Sequence, residues 1–334
     1  MIRPRHFAMA SRFLRRRFRE LHPYEVQALL LNACNLKCVY CRCPEIKTTL
    51  MTTEQWRGTI RRLAALGTMR IKFQGGEPTL RTDFRELCGE AQRAGILVAV
   101  VTNGLRIAER PELLDAVDEV VVSIDSPAPE IHDRLRGQGT HAQAVRAVEA
   151  ASARGLPTYI VMVVNRDNVD EIDSMLRFCE ARGVRLHAQP VTFGLHYSDG
   201  EAAALELTAE QVRSMHRQLV TWKRQGRPLM FSAPVYQHVV AWPDYQVRTT
   251  PSAGESSCMA GKSYVHIEAN GDVWPCQQHG ARFTPKNIVR DGLEEALRHV
   301  QHHNCGDCFA AYLNERKAVF GLRPAALLEL VRRG

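Results

Sequence analysis

Eight of the ten cysteines in this 334-residue chain fall into two clusters, one near each end. The clusters comprise Cys34, Cys38, Cys41 and Cys43, and Cys258, Cys276, Cys305 and Cys308. Disulfide scaffolds are normally short, secreted and dense in cysteine, and no secretory signal is recognisable here. Clustered thiols in a chain of this kind predict metal or iron–sulfur ligands in a reducing compartment, which we take to be the cytoplasm.

The first cysteine cluster has the ligands for a [4Fe–4S] cluster in which one iron has no protein ligand. The spacing Cys34-x3-Cys38-x2-Cys41 places three thiolates on one short segment. Three thiolates can hold three irons of a [4Fe–4S] cluster and leave the fourth iron for an external ligand. A structural zinc site uses four protein ligands, and Cys43 offers a fourth thiol, so zinc remains an alternative.

The second cluster surrounds a predicted hairpin. Asn270-Gly271 is a strong two-residue turn signal between the strand candidates 264–267 and 272–274, and Cys276 follows the second of them. Cys305 and Cys308 form a C-x2-C pair. Together with Cys258 they make four thiolates, which close either a tetrahedral zinc site or a fully ligated [4Fe–4S] cluster; spacing does not choose between the two.

Predicted strands and helices alternate along the chain from residue 26 to 191, and they would position the first cysteine cluster. The predicted strands are 26–31, 70–73, 97–101, 119–124, 159–164 and 186–191. The predicted helices between them are 53–66, 82–94, 111–117, 139–154 and 168–182, and further helices are expected at 208–225, at 291–303 and from Pro324 onward. The alternation predicts βαβ units with a parallel sheet, either open or curled into a barrel.

Polar or glycine-rich segments follow five of these strands. The first cysteine cluster follows the first strand and Gly75-Gly76-Glu77-Pro78 follows the second. The ends of the next three strands carry Thr102, Asn103, Ser123, Asp125 and Asn165. Because the carboxyl ends of parallel strands carry the active site in such folds, we expect all these residues on one face. The glycines would let the backbone approach a ligand closely.

This combination resembles the radical S-adenosylmethionine (radical SAM) superfamily, on the strength of Cys34, Cys38, Cys41, the aromatic Tyr40 and the 75–78 segment. The resemblance covers about residues 25–193. It implies that the amino and carboxylate groups of S-adenosylmethionine chelate the open iron and that the Gly-Gly-Glu segment contacts the amino group. Reduction then yields a 5′-deoxyadenosyl radical that abstracts a substrate hydrogen. A flavodoxin or ferredoxin type of protein is the implied reducing partner.

The resemblance also implies further cofactor contacts. The implied set is Tyr40, Gly75, Gly76, Glu77, Pro78, Thr102, Asn103, Ser123, Asp125 and Asn165. Related enzymes use the last five positions to contact the ribose, the methionine carboxylate, the adenosine or the substrate. A strand-terminal cap or a loop hydrogen bond explains each of those five about equally well.

The second cluster is similar to the auxiliary-cluster domains called SPASM and twitch. Cys258-x12-Gly271-x4-Cys276 matches their shared opening, but the seven cysteines of a full SPASM domain are reduced to four. The shorter twitch form is therefore implied, with one auxiliary [4Fe–4S] cluster on Cys258, Cys276, Cys305 and Cys308. The predicted fold is α/β, a partial (βα)6 TIM-like barrel followed by a small Cys-rich twitch-type α+β domain.

Charge and domain limits complete the prediction. We expect a basic amphipathic segment at 1–24, the core barrel at 25–205, a helical linker at 206–250, the auxiliary domain at 251–320 and a terminal helix at 321–334.

The net charge is +8, but residues 1–20 carry six of these surplus charges. The near-neutral remainder argues against nucleic acid as a partner. A basic helix in 1–20 leaves contact with an anionic membrane surface open, and packing on the barrel is the simpler interpretation.

The predicted function is hydrogen abstraction from an unactivated C–H bond. We expect oxidation or epimerisation of a polar small molecule such as a sugar, aminocyclitol or nucleoside, because an auxiliary cluster can accept the electron of a substrate radical. A ribosomal peptide maturase is the alternative, set aside because only about 24 residues precede the first strand. A lipid-modifying enzyme and, more remotely, a non-catalytic iron–sulfur or zinc protein also remain open.

A few residues have no assigned role in this chemistry. No catalytic side chain is identified. Cys88 and Cys179 are interpreted as small buried residues on helices, and Cys43 is left without a role. Arg134 and Arg136 are candidates for binding a carboxylate or phosphate, although a solvated loop is the simpler interpretation of Arg134.

Overall fold

The computed structural model describes residues 21–191, 201–252, 258–278 and 283–333. The predicted basic helix in 1–20 lies outside the described residues. Eleven strands and thirteen α-helices are named below within these ranges.

Six parallel strands form the frame of the molecule and stand side by side in chain order. They are β1 Glu25–Leu29, β2 Arg70–Gln74, β3 Leu97–Thr102, β4 Glu119–Ser123, β5 Thr158–Val164 and β6 Arg185–Pro190. Their outward side chains are apolar and buried against helices, as Ile71 and Phe73 of β2 show with no exposed surface. The predicted partial barrel is confirmed, and every predicted strand lies within two residues of an observed one.

The predicted hairpin extends this sheet. The remaining strands are β7 Thr249–Thr250, β8 Tyr264–Ile267, β9 Asp272–Trp274, β10 Lys286–Asn287 and β11 Asp307–Cys308. β8 runs parallel to β1, with Tyr264 opposite Glu25, and β9 and β10 follow it antiparallel. Gly271 closes the turn with a φ of 92°, which favours glycine. The cysteine-rich part is therefore continuous with the barrel sheet.

Helices cover the outer face of the sheet and continue beyond it. They are α1 Thr53–Leu66, α2 Phe84–Arg93, α3 Leu105–Glu109, α4 Pro129–Arg136, α5 Thr140–Ala153, α6 Ile172–Arg182, α7 Glu201–Leu205, α8 Ala209–Arg224, α9 Ala233–Val240, α10 Ile288–Asp291, α11 Leu293–Val300, α12 Ala311–Phe320 and α13 Pro324–Arg333. Capping boxes at Thr52 and Thr208 begin α1 and α8. The helix predicted at 111–117 is a 3₁₀ segment, Pro111–Ala116, and α4, α9 and α12 were not predicted.

Helix α12 lies across the amino-terminal end of the barrel. Its Arg316 forms an ion pair with Glu25 of β1. The ring of Tyr312 lies 6.4 Å from that of His187 on β6, and Phe320 lies 5.5 Å from Tyr24. Through these contacts α12 covers the amino-terminal end of the barrel.

Candidate active site

The glycines after β2 lie against the backbone that leads into the cysteine loop. The Gly76 N–H donates to the Leu31 carbonyl at 2.8 Å, and the Glu77 N–H donates to the Ala33 carbonyl at 2.9 Å. A Cβ atom on Gly75 would overlap the carbonyl oxygen of Leu31, and one on Gly76 would overlap that of Ala33. These glycines are required by the contact of two backbones, which sets the direction in which the cysteine loop leaves β1.

Glu77 joins the ends of β2 and β3. Its carboxylate is fully buried and accepts from the Thr102 hydroxyl at 2.9 Å, the Asn103 N–H at 2.8 Å and the Thr79 N–H at 3.1 Å. Burial raises the pKa of Glu77, and these three donors oppose that rise. Both carboxylate oxygens are bonded within the chain, so the Glu77 side chain positions the loop.

Asn103 extends this network to the first cysteine. Its side-chain amide donates to Cys34 Sγ at 3.8 Å and to the Asn35 side-chain oxygen at 2.8 Å. The Leu36 N–H also donates to Cys34 Sγ, at 3.4 Å. Donors of this kind orient a ligating sulfur and stabilise its negative charge. The structure thus brings Thr102 and Asn103 to the cysteine loop.

Asp125, just beyond β4, is the centre of a second buried network. Its Oδ2 accepts from the Tyr40 hydroxyl at 2.6 Å and from Arg136 Nε at 2.7 Å. Its Oδ1 accepts from Arg136 Nη2 at 3.0 Å and from the Val163 N–H at 2.9 Å. Asp125 has no exposed surface and Arg136 has 7%. The carboxylate is saturated by groups of the chain, so Asp125 ties the cysteine loop, through Tyr40, to β5 and α4.

Arg136, predicted as a candidate for binding a carboxylate or phosphate, binds the carboxylate of Asp125 inside the chain. It lies in the last turn of α4, which begins at Pro129, and its guanidinium lies 5.7 Å from the centroid of the Tyr40 ring. One turn earlier, His132 accepts a hydrogen bond from the Asp125 N–H at 3.2 Å. The four-residue spacing of His132 and Arg136, after a proline suited to a first helical turn, was the signal for this face. Arg134 is exposed and pairs with Asp167 at 3.4 Å.

Asn165 and Ser123 complete the predicted set. The Asn165 side chain accepts from the Asp167 N–H at 2.9 Å and donates to the Val163 carbonyl at 3.2 Å. It therefore stabilises the turn after β5, which is the alternative interpretation given to it. Ser123 is half-buried at the end of β4, and Pro78 is buried in the 3₁₀ turn Pro78–Leu80.

The three thiols of the first loop fit a cluster with an open iron. Cys34, Cys38 and Cys41 are each partly exposed, whereas Cys43 is buried and its sulfur accepts from the Asn32 amide at 3.8 Å. The Cys43 thiol differs from the other three in its burial and its hydrogen bond to Asn32, which leaves Cys34, Cys38 and Cys41 as the partly exposed set that a cluster with one open iron requires. Burial raises the pKa of Cys38 to about 12, so the positive charge of a metal cluster is needed to hold its thiolate form.

Four buried thiols form the second site. Cys258, Cys276 and Cys308 pack with Tyr264 and Leu313 in one apolar cluster. The thiol of Cys305 shares a hydrogen bond with that of Cys258, which lowers the pKa of Cys258 and raises that of Cys305. Across the described ranges, no three His, Cys, Asp or Glu side chains surround the position of a single metal ion. A set of four thiols enclosed by apolar side chains has the donors of a fully ligated cluster.

The two thiol sites lie at opposite ends of the barrel. Tyr264, which packs on the second site, is opposite Glu25 at the first residue of β1, whereas Cys34 follows the other end of that strand. At a rise of about 3.3 Å per residue the two ends of β1 are separated by roughly 13 Å. The concave face of the sheet lies between them, so a bound molecule there would lie between the two sites.

The other cysteines and aromatic residues are structural. Cys88 on α2 and Cys179 on α6 have no exposed surface, which confirms their interpretation as buried packing residues. Tyr236 and Trp242 are buried in the core. No helix in the described part of the chain has the length and apolar character needed to cross a bilayer.

The positioning role of Gly76 leads to a first prediction. We expect Gly76→Ala to lower the iron bound by the first site by half or more, because the added methyl group collides with the Ala33 carbonyl and displaces the cysteine loop. Iron analysis of the purified protein measures this. Gly58→Ala on α1 is the matched control, since nothing lies within 4 Å of its added Cβ. Full iron retention in Gly76→Ala would contradict the assignment.

A partial parallel barrel that carries an open three-thiol loop and a closed four-thiol site defines an iron–sulfur enzyme with a catalytic and an auxiliary cluster. Residues 29–179 match the Radical SAM superfamily. The PqqA peptide cyclase of Rhizobium meliloti is 28% identical over 310 residues, covering 89% of this chain and 78% of that protein. The mycofactocin maturase MftC of Mycobacterium ulcerans is 30% identical over 298 residues, covering 84% of this chain and 78% of that protein.

Solved structures share the fold. SuiB of Streptococcus suis bound to S-adenosylmethionine has a TM-score of 0.65 at 17% identity, with 85% of this chain and 68% of that chain covered. The enzyme anSMEcpe with bound AdoMet has a TM-score of 0.65 at 17% identity, with 92% and 98% covered. This chain belongs to the radical SAM superfamily, in its SPASM/twitch type. Its cofactors are S-adenosylmethionine and two [4Fe–4S] clusters.

The comparisons correct the predicted substrate. The expectation of a sugar, aminocyclitol or nucleoside is wrong, and so is the preference for a small-molecule partner over a peptide. The relatives that align with 79% or more of the chain are named as a peptide cyclase and a maturase. The short segment before the first strand, which was the argument against a peptide, does not outweigh similarity along the whole barrel and the auxiliary region.

Proposed function

We propose that this radical SAM enzyme modifies a ribosomally made peptide, forming a covalent bond at an unactivated C–H position. The observation that carries the proposal is the similarity of about 30% to PqqA peptide cyclases and mycofactocin maturases over most of both chains. The separation of the two thiol sites by the concave face of the sheet supports it, because an extended segment of chain fits between them.

We propose a distinct task for each set of side chains. Cys34, Cys38 and Cys41 hold the cluster to which S-adenosylmethionine binds, and that cofactor supplies the radical that abstracts hydrogen. Glu77 and Asn103 fix the cysteine loop against β3, and Asp125 fixes it against β5. α12 excludes water from the amino-terminal end of the barrel by covering it.

The type of reaction, the domain limits, the cofactor contacts and the cellular location are also proposals. We propose an oxidoreductase outcome, since joining two C–H positions removes two hydrogen atoms from the peptide: one would pass to the 5′-deoxyadenosyl radical, and the other would leave as a proton while the auxiliary cluster takes up its electron. The domain limits given above, the cofactor contacts of the strand ends and the cytoplasmic location stay predictions. The sheet shared by β1 and β8 indicates that the barrel and the auxiliary region fold as one unit.

Anaerobic reconstitution tests the proposed function. The full chain, reconstituted with iron and sulfide, is incubated with dithionite, S-adenosylmethionine and synthetic peptides encoded by short reading frames beside its gene. We expect 5′-deoxyadenosine in every sample and one peptide that loses two hydrogen atoms by mass spectrometry. Formation of 5′-deoxyadenosine with every such peptide unchanged would overturn the peptide assignment while leaving the enzyme class intact.

The auxiliary site gives a second prediction. We expect Cys276→Ala to hold about four irons per chain where the unchanged protein holds about eight, because a buried cubane cannot persist on three thiolates beside apolar walls. Peptide modification should be lost, while 5′-deoxyadenosine still forms at the first cluster. Iron analysis and product chromatography measure the two effects.

Cys179→Ala is the control for this experiment, since it removes a buried thiol remote from both sites. An unchanged protein with about four irons and one zinc would show that the second site is a zinc site. Retention of eight irons in Cys276→Ala would show that Cys276 is not a ligand.

A further inference from the structure

Lys72 projects from the middle of β2 toward the interior of the barrel. Its neighbours in sequence, Ile71 and Phe73, are fully buried against the outer helices, and alternate side chains of a strand point to opposite faces. Arg70, two residues earlier, pairs with Glu119 of β4 across the concave face, which fixes that face as the one Lys72 shares. β2 is flanked by β1 and β3, so the partly exposed surface of Lys72 opens only to the barrel interior.

The strand neighbours of Lys72 offer it no counter-charge. It stands opposite Gln27 on β1 and Ala99 on β3. The Gln27 amide is already engaged, since it donates to Gln74 and accepts from the Tyr264 hydroxyl. Within the part of the chain that the structure describes, the ion pairs formed at 4 Å or less include none of Lys72. The ammonium therefore has no anionic partner at its own level.

The charged side chains in the layer beneath Lys72 form ion pairs with one another. Arg70 pairs with Glu25 at 3.1 Å and with Glu119, and Arg316 of α12 also pairs with Glu25. These two guanidinium groups and two carboxylates pair with one another, so neither carboxylate is an ion-pair partner of Lys72 in the described part of the chain. Burial is the largest of the causes that together lower the pKa of Lys72 to about 7, and among the charges the effect of Arg70 and Arg316, which lower it, exceeds that of Glu25 and Glu119, which raise it. An anion bound beside Lys72 would remove this penalty.

The level of Lys72 lies between the two thiol sites. It is three residues before Gly75, which places its Cα about 10 Å below the end of β2 that borders the cysteine loop. On the other side, Tyr264 and α12 separate it from the second site. A peptide held between the two sites must pass this ammonium.

We propose that Lys72 binds a carboxylate of the peptide substrate, from an acidic side chain or from the peptide C-terminus, and so selects the residue held between the two sites. This inference rests on the proposed function. A carboxylate accepts charge-assisted hydrogen bonds from the ammonium and compensates its charge, whereas the carbonyl oxygen of the isosteric amide accepts a hydrogen bond but leaves the charge uncompensated. Lys72 is thus a specificity-determining residue for an acidic position of the peptide.

The first test observes Lys72 directly in the reconstituted full chain. The chain has seven lysines, so selective ¹³C,¹⁵N-lysine labelling gives few side-chain resonances, and the Lys72→Arg spectrum assigns that of Lys72. The probes are N-acetylglutamate N-methylamide, N-acetylglutamine N-methylamide and N-acetylalanine. We expect a carboxylate probe to raise the pH midpoint of the Lys72 resonance and the glutamine probe to leave it unchanged.

The probes also separate the two sources of a carboxylate. A shift with the blocked glutamate indicates an acidic side chain, and a shift with N-acetylalanine alone indicates a peptide C-terminus. An equal response to the glutamine probe, or no response to either carboxylate, would overturn the proposal. This readout needs no turnover, so it stands or falls independently of the peptide assignment.

The second test uses the peptide that the reconstituted enzyme modifies. We expect Lys72→Met to raise the KM for this peptide about 10- to 100-fold with a smaller change in kcat, and Lys72→Arg to recover most of the loss. Lys286→Met, which removes a lysine paired with Glu295 at the surface, is the matched control. An unchanged KM in Lys72→Met would overturn the inference and leave the peptide function standing, whereas failure to find any modified peptide counts against the function itself.

Discussion

Replacing Cys34 and Cys38 together with alanine is expected to abolish the formation of 5′-deoxyadenosine. The two thiols and Cys41 are the partly exposed members of the first loop, and a cubane held by one remaining thiolate is not retained. Since S-adenosylmethionine is cleaved only by the reduced cluster, product should fall below detection, a loss of at least about a thousandfold. Chromatography of the anaerobic reaction with dithionite measures it, and iron per chain should fall from about eight to about four.

Cys88→Ala is the control for this loss. It removes a fully buried thiol from α2, so it tests whether the loss of any thiol disturbs the fold enough to prevent cleavage. We expect product formation near that of the unchanged protein, with a small fall in stability from the lost packing. Continued formation of 5′-deoxyadenosine by the double variant would show that the first loop does not hold the catalytic cluster.

The cysteine sites and the order of elements could be predicted because their signals are local. Three thiols within eight residues can be recognised without knowing the fold, and so can Asn270-Gly271 between two apolar runs. The strands follow from short apolar segments separated by helical ones, and the structure places all six in chain order. These features depend on residues a few positions apart.

Contacts between distant segments could not be predicted in this way. β8 joins the barrel by pairing with β1, some 240 residues earlier in the chain, and nothing in the sequence of Tyr264–Ile267 names its partner. α12 was missed because its inward residues Tyr312 and Arg316 are polar, so no apolar stripe marks the helix. Their partners, His187 and Glu25, lie on strands far away in the sequence.

The chemical roles of the strand ends were predicted only in part. Polar residues were expected there and are found there, but the sequence does not distinguish a side chain that faces a ligand from one that faces the next strand. Glu77 and Asp125 are both saturated by groups of the chain. The site is thus built in two layers, with accessible thiols held in place by buried carboxylates.

The last prediction concerns the buried carboxylate of Asp125. We expect Asp125→Ala to destabilise the protein and to remove the iron–sulfur cluster from the first site. The variant leaves the Arg136 guanidinium buried without its counter-ion and removes the acceptor of Tyr40 and of the Val163 N–H. Breaking one side of a buried ion pair costs about 3–5 kcal/mol, which for a chain of this length corresponds to a fall in Tm of roughly 4–7 °C. Differential scanning calorimetry measures the change.

Two further variants distinguish the loss of stability caused by the unpaired charge of Arg136 from the loss of iron caused by release of the cysteine loop. Asp167→Ala breaks only the exposed pair with Arg134 and should cost less than about 1 kcal/mol. In Asp125→Ala/Arg136→Met the uncompensated charge is gone, so much of the lost stability should return, but Tyr40 still lacks its acceptor and the loop that bears Cys38 and Cys41 stays untethered. We therefore expect the double variant to melt closer to the unchanged protein and still to hold less iron. If its iron content recovered together with its Tm, Asp125 would be a stabilising residue of the barrel without a role in holding the cluster.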